Sequence, residues 1–154
     1  MNYKILGMIL AVVLAVVVVS GCIGSDDSSD KSPLLKLFGV PEGFEVDDTR
    51  ANNESVSLVR SNDNSVQIEI VNGSYVGYKS VNAFIKADSE GVDRVNKLNE
   101  TFGSVKVVSV AFFNSAELGG GIEYGYYFKK DDSVYVIYSD RSLSDDILKA
   151  IIIP

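Results

Sequence analysis

The segment IEYGYYFKKDDSVYVIY, residues 122–138, encodes a β-hairpin that decides the fold. β-Branched and aromatic residues, which favour extended backbone, fill both halves of the segment. Asp131 and Asp132 separate the halves, and Asp tolerates the left-handed backbone that a two-residue hairpin turn requires. The pattern therefore predicts two antiparallel strands, over residues 122–130 and 133–138.

The two faces of this hairpin are predicted to have different surroundings. The turn pairs Phe128 with Tyr135, and we expect that face to be core. The other face carries three residues that are apolar for a solvated surface, Tyr127, Val136 and Tyr138. Two interpretations stay open: helices cover both faces of the sheet, or these three residues form an exposed aromatic patch that binds a partner or ligand.

Further strands are predicted on both sides of the hairpin. Residues 40–46 indicate a turn that leads into a short strand. Residues 55–60 and 65–71 alternate between apolar and polar side chains, which is typical of strands with one buried and one solvated face. Asn and Asp within residues 61–64 favour a turn between those two strands. Residues 105–113 are rich in β-branched and aromatic residues and predict another strand.

Two other segments have apolar residues at helical spacing. The first covers residues 81–102 and follows Ser80, a residue type that caps helices. Its polar middle contains a glycine, so the pattern fits either one helix or two short ones. The second segment covers residues 142–153. Ser142 and Asp145 resemble a capping box and predict that this helix begins at Ser142.

The order of these elements, β-β-β-α-β-β-β-α, predicts an α+β fold. We expect an antiparallel sheet of about six strands, covered by a central and a C-terminal helix. Residues 34–154 are long enough to bury a core as a single domain.

Several short motifs resemble the PsbP-like α/β/α sandwich superfamily over about residues 38–154. They are the opening Val40-Pro41-Glu42-Gly43-Phe44, the central helix, the tyrosine-rich hairpin and the closing Asp145-Asp146-Ile147-Leu148-Lys149 helix. That superfamily includes many small lipoproteins and has no shared catalytic residues. Its members are mostly assembly factors, ligand-binding proteins or adaptors, so the resemblance implies binding and not catalysis.

The N-terminus resembles the export signal of bacterial and archaeal lipoprotein precursors. Lys4 precedes the fifteen uncharged residues 5–19. The apolar core of a signal peptide has ~7–15 residues and a membrane-spanning helix needs ~20, so this run fits a signal peptide and falls short of a spanning helix. Val19-Ser20-Gly21-Cys22 then resembles a lipobox, in which small residues precede a lipidated cysteine. The resemblance implies cleavage before Cys22; an uncleaved N-terminal anchor is the alternative.

These assignments divide the chain into three parts. Residues 1–21 are a signal peptide, residues 22–33 are the lipidated Cys22 and a flexible polar tether, and residues 34–154 form the single α+β domain. Lipid at Cys22 would hold the domain at the cell membrane, on the extracytoplasmic face.

The composition excludes several classes of function. The chain has no His and one Cys, which removes the commonest general base and metal ligand and any His-based catalytic triad. We predict no catalytic residue, no metal site and no cofactor; an enzyme built on Ser–Lys or paired carboxylates stays as an alternative. The formal net charge of −7 argues against a nucleic-acid partner.

Three polar clusters are more typical of turns than of sites. Asp47-Asp48, Asn62-Asp63-Asn64 and Asp131-Asp132 offer oxygen ligands but lack the loop spacing of a calcium site. Gly119-Gly120-Gly121 is not followed by the Lys-Ser/Thr pair of a phosphate-binding loop. We therefore assign no cation or phosphate to any of them.

Three segments match the acceptor motif for N-glycosylation: Asn53-Glu54-Ser55, Asn72-Gly73-Ser74 and Asn99-Glu100-Thr101. Export would make the asparagines accessible to a glycosylating enzyme. We therefore predict that Asn53, Asn72 and Asn99 are possible glycosylation sites.

Taken with the anchor, these features predict a non-catalytic accessory or binding factor for an envelope protein. The alternative is a lipoprotein that captures a small apolar molecule, either on the aromatic face of the sheet or in a crevice between helix and sheet.

Overall fold

The central hairpin has the predicted register. In the computed structural model, which describes residues 32–60, 66–115 and 120–154, Phe128 lies opposite Tyr135 and Tyr126 opposite Ile137. The turn residues Asp131 and Asp132 have φ angles of 48° and 64°, which is the left-handed backbone that a two-residue turn requires.

This hairpin lies near the centre of one seven-stranded antiparallel sheet, with the spatial order β1-β2-β3-β7-β6-β5-β4. Two meanders, the first three strands and the last four, meet where β3 pairs with β7. The α+β class is confirmed, with seven strands and not about six. The strands are β1 (Phe44–Val46), β2 (Ser55–Arg60), β3 (Gln67–Asn72), β4 (Arg94–Phe102), β5 (Val105–Asn114), β6 (Gly121–Lys130) and β7 (Ser133–Ser139).

The central helix is shorter than its apolar spacing predicted. Helix α1 covers Val81–Asp88, and the Ser80 hydroxyl caps it by accepting a hydrogen bond from the Ala83 N–H at 3.2 Å. The chain then turns through Gly91, whose φ is 78°. A residue with a side chain is strained at that angle, so the glycine favours the end of the helix there.

The second half of the predicted helix is strand β4, which accounts for the additional strand. It pairs with β5 along all nine of its residues. The helical interpretation was wrong because the apolar residues of this segment do not share one buried face. Val95 packs on the α1 side of the sheet, Phe102 packs on the other side, and Leu98 is 61% exposed.

The C-terminal helix, α2, covers Asp145–Ile152 and begins later than predicted. Its cap is Ser144, whose hydroxyl accepts a hydrogen bond from the Ile147 N–H at 3.4 Å, and not Ser142. The chain is still extended before this point, where the Leu143 N–H donates to the Tyr126 hydroxyl at 2.8 Å. Asp145 and Asp146 occupy the first turn of α2, where they interact favourably with the helix dipole.

Helices cover the sheet on both faces, which produces two separate cores. One core packs against α2 and a 3-10 turn at Pro33–Lys36; on the sheet it contains Leu58, Ile68, Ile70, Phe128 and Ile137. The other core packs beneath α1 and contains Val71, Phe84, Ile85, Phe112, Tyr127 and Val136. The sheet is therefore the middle layer of three.

Two residues of the segment that was assigned to the tether, Ser32 and Pro33, have a defined structure. Ser32 is buried, and its hydroxyl accepts from the Leu34 N–H and donates to the Asn52 carbonyl. Pro33 begins the 3-10 turn. Among the residues that the structure describes, neither helix is long and apolar enough to cross a membrane. Cys22 lies outside the described residues.

Candidate functional site

A groove opens beside α2, where this eight-residue helix does not cover the outer strands of the sheet. Its volume is about 290 Å³. One wall is the segment that leads into α2 and its first turns, with Leu143, Asp145 and Leu148. The other side is the edge strand β4, where Leu98 is exposed. The groove is thus a crevice between helix and sheet.

Strand register builds the floor of the groove. Ala111 of β5 lies between Asn96 of β4 and Tyr124 of β6, and Ser109 lies between Leu98 and Tyr126 in the neighbouring row. Residues directly opposite each other in antiparallel strands share one face, so all six of these side chains point to the same side of the sheet. The two β5 residues are small, which leaves room above them for a ligand.

Hydrogen bonds fix the polar groups of the groove. The Ser109 hydroxyl donates to the half-buried carboxylate of Glu100, which orients that carboxylate. The buried Tyr126 hydroxyl accepts from the Leu143 N–H and so attaches the wall to the floor. Burial also raises the pKa of Tyr126 above that of an exposed tyrosine. Both interactions preorganise the groove before any ligand arrives.

The groove is acidic. Two carboxylates line it, Glu100 on the floor side and Asp145 on the wall. Lys97 also borders the groove, but alternation along β4 directs its side chain to the opposite face of the sheet. The lining described here therefore favours a ligand that is cationic or donates hydrogen bonds, carried on an apolar body.

A second polar cluster lies beneath α1, on the other face of the sheet. Asp88, the last residue of α1, is 3% exposed, and it accepts hydrogen bonds from the hydroxyls of Tyr127, at 2.5 Å, and Tyr138. Burial raises the pKa of Asp88, while the two hydroxyls act in the opposite direction. Burial and the neighbouring carboxylate raise the pKa of both tyrosines well above the usual value.

A glycine makes this cluster possible. A Cβ atom at Gly125 would lie 2.6 Å from Cε2 of Tyr127, so only glycine leaves space for that ring. Phe84 of α1 packs edge-on against Tyr127, with ring centroids 5.5 Å apart. The cluster attaches the C-terminal end of α1 to the sheet, and we interpret it as structural.

The proposed aromatic patch of Tyr127, Val136 and Tyr138 is not an exposed surface. Tyr127 and Val136 are completely buried beneath α1, and Tyr138 is half-buried. The structure thus corresponds to the interpretation in which helices cover both faces. The physical reason is that α1 packs on this face. Phe84 and Ile85 of α1 bury its apolar surface, and Asp88 accepts hydrogen bonds from its tyrosine hydroxyls.

The three acceptor asparagines lie on the surface. Asn53 and Asn99 are exposed, and Asn72 is half-buried with its side-chain oxygen accepting from the Tyr75 N–H at 3.1 Å. Their glycosylation stays a prediction.

The acidic pairs that lie in the described residues are parts of turns. Asp47 accepts a hydrogen bond from the Thr49 N–H at 3.1 Å and lies 3.5 Å from the Arg50 guanidinium. Asp132, in the hairpin turn, lies 2.9 Å from the Lys129 ammonium, which lowers its pKa. Within the described ranges, no three acidic or Cys side chains come together in a way that could hold a metal ion. Asn62-Asp63-Asn64 and Gly119 lie outside those ranges.

Sequence reasoning missed the groove residues Asn96, Leu98 and Glu100 because their segment was assigned to a helix. The local sequence gives no signal against that assignment, because Val95, Leu98 and Phe102 fall at helical spacing and the other residues of the segment are polar.

Comparison with known proteins gives no match: no family model, no curated protein and no solved structure is significantly similar to this chain. The likeness to the PsbP-like superfamily stays a prediction.

Proposed function

We propose that this chain is a non-catalytic binding protein, held at the extracytoplasmic face of the cell membrane by lipid on Cys22. The groove between α2 and strands β4–β6 is its ligand site. One observation carries this proposal: a crevice with an aromatic and aliphatic lining contains a carboxylate, Glu100, that a neighbouring hydroxyl holds in place. Concave, mostly apolar sites with a few oriented polar groups are typical of small-molecule binding.

The chemistry of the lining indicates the class of ligand. Tyr124 and Leu143 offer apolar contact area, while Glu100 and Asp145 attract positive charge. A small molecule with an aromatic or aliphatic body and an ammonium group complements both. An anionic analogue of the same shape would be repelled by both carboxylates.

In the part of the chain that the structure describes, the groove does not bring together the Ser–Lys pair that the sequence left open as an enzymatic alternative. The Ser109 hydroxyl donates its hydrogen bond to a carboxylate, and the Lys97 side chain belongs to the other face. Within the described residues, no lysine therefore faces this serine from the lining to activate it.

This function can be tested by titrating the full chain, in detergent, with three probes of matched shape. These are 2-phenylethylammonium, 2-phenylethanol and 3-phenylpropionate, and the readout is heat by calorimetry. We expect the cation to bind at least about tenfold more tightly than the anion, a difference of ~1.4 kcal/mol or more.

Three variants test whether the ligand binds in the groove. Ala111→Phe fills the floor and should abolish binding of every probe. Glu100→Gln should reduce the preference for the cation, because Asp145 remains. Val76→Ala, at a residue 40% exposed outside the groove, is the matched control and should bind like the unmodified chain. Equal binding by the Ala111→Phe variant would contradict the proposed site.

A second candidate function is that of accessory factor for an envelope protein. The exposed edge of β4 favours it, because an unpaired strand edge can accept another strand. Cross-linking in native membranes would test this function, and recovery of one defined heterologous partner joined through residues 94–102 would support it.

A further inference from the structure

The two edges of the sheet differ greatly in length. The β1 edge has three residues, whereas the β4 edge has nine, Arg94–Phe102. In the part of the chain that the structure describes, no strand pairs with the outer side of β4. Natural proteins usually protect long edges with proline, a bulge, charge or a covering segment. β4 has no proline, and its pairing with β5 continues without a bulge over nine residues. Its charged residues are Arg94, Lys97 and Glu100, of both signs.

Strand β4 also exposes an apolar residue at its centre. Asn96, Lys97, Leu98 and Asn99 are all exposed, and Leu98 is 61% exposed. Four residues lie on each side of Leu98, so it is the midpoint of the strand. An exposed leucine in the middle of an unpaired edge is a position where a neighbouring strand would bury apolar area.

We infer that β4 pairs with β4 of a second copy of this chain, antiparallel and centred on Leu98. A two-fold axis perpendicular to the sheet would pass through the Leu98 pair, so the two seven-stranded sheets would continue as one. This pairing does not depend on the proposed groove function. It would occupy the strand edge that the second candidate function assigns to an envelope protein, so the two occupants exclude each other.

Self-complementarity selects this register over its neighbours. Residues opposite each other in an antiparallel pair lie on the same face of the sheet. With a two-fold axis perpendicular to the sheet, the central residue must therefore face its own counterpart in the other copy. The nearest alternative registers are those centred on the next residue in either direction. With Leu98 at the centre all nine residues pair, and Lys97 and Glu100 each face an asparagine of the other copy. Centred on Lys97 or on Asn99, only seven residues overlap. The first of these registers pairs Arg94 with Glu100 but brings the two Lys97 ammonium groups together, and the second places Leu98 opposite Glu100.

The inferred register also extends the groove. Leu98 and Asn96 form its outer border, and in the pair Asn96 of one copy faces Glu100 of the other. The two grooves then lie side by side across the Leu98 contact, which closes the border that is open in a single copy.

A charge-exchange experiment tests the pairing. Two differently tagged copies of the full chain are expressed together in a bacterial host without N-glycosylation, which keeps Asn99 on β4 unmodified. The membranes are solubilised, one tag is captured, and the co-purified amount of the other is measured. Because Leu98 faces itself across the axis, Leu98→Asp paired with Leu98→Asp, or Leu98→Lys with Leu98→Lys, places like charges in contact.

We expect the unmodified chain to co-purify with itself and each like-charged pair to lose at least tenfold of that signal. The mixed Leu98→Asp and Leu98→Lys pair should recover it. Tyr75, also 61% exposed but in the turn after β3, provides the matched control: the same exchanges there should change nothing. No self-capture of the unmodified chain, no loss in the like-charged pairs, or no recovery in the mixed pair would each overturn the inference.

Discussion

At the scale of single residues, the buried carboxylate of Asp88 has a predictable effect on how stability depends on pH. It lies beneath α1 with two tyrosine hydroxyls as donors, and burial raises its pKa. The folded state therefore binds the Asp88 proton more tightly than the unfolded state does. The free energy of unfolding must then fall as pH rises from the unfolded pKa, about 3.9, through the folded pKa.

Asp88→Asn should remove that part of the pH dependence. An amide keeps an acceptor oxygen for the tyrosines but cannot ionise. We expect the variant to gain stability relative to the unmodified chain, on the order of 1 kcal/mol, as pH rises from about 4 to about 7. Denaturant unfolding across this range measures the difference between the two proteins, which cancels the contribution of Glu69, whose pKa burial also raises. The difference includes the response of Glu123, because the Asp88 charge helps to raise the pKa of Glu123.

Tyr138→Phe is the complementary change. It removes a donor that stabilises the Asp88 carboxylate, so the pKa of Asp88 should rise further. Stability at neutral pH should fall by about 1–3 kcal/mol, with a steeper pH dependence. If both variants followed the unmodified chain at every pH, the carboxylate would not be buried as described.

At the scale of elements, capping distinguishes the two serines that precede α2. Ser144 caps the helix in the structure, whereas Ser142 was the predicted cap. Ser144→Ala should lower the free energy of unfolding by about 1 kcal/mol, because it removes the acceptor for an N–H in the first turn. Ser104→Ala, at an exposed position in the turn between β4 and β5, is the matched control and should cost clearly less. Equal losses in thermal unfolding would contradict the assignment of Ser144 as the cap.

The misassigned element was the segment that became β4. Spacing alone could not distinguish a helix from an edge strand here, because an edge strand has little buried surface to impose a period of two. The decisive factor was β5, which provides a nine-residue pairing partner. The three short strands β1–β3 and the long hairpin β6–β7 were predictable, because their alternation and turn residues are local.

At the scale of the whole molecule, the anchor is the largest untested feature. We expect the intact mass of the protein from its native membrane to correspond to a chain that begins at Cys22 and carries lipid. Cys22→Ser should retain residues 1–21, because the lipid acceptor is gone. Any further mass in increments of a sugar residue would show that Asn53, Asn72 or Asn99 is glycosylated. A native mass that retains residues 1–21 without lipid would identify an uncleaved anchor instead.

The sequence by itself determined six of the seven strands, the central turn and the register of the hairpin, because these depend on residues that are close along the chain. It also indicated helices at Ser80 and near the C-terminus. Only the tertiary structure decided that α1 buries Tyr127 and Val136, since that depends on a helix far away in the chain. The groove likewise exists because α2 does not extend across the sheet as far as β4. No local sequence pattern encodes how much of a sheet a helix leaves uncovered.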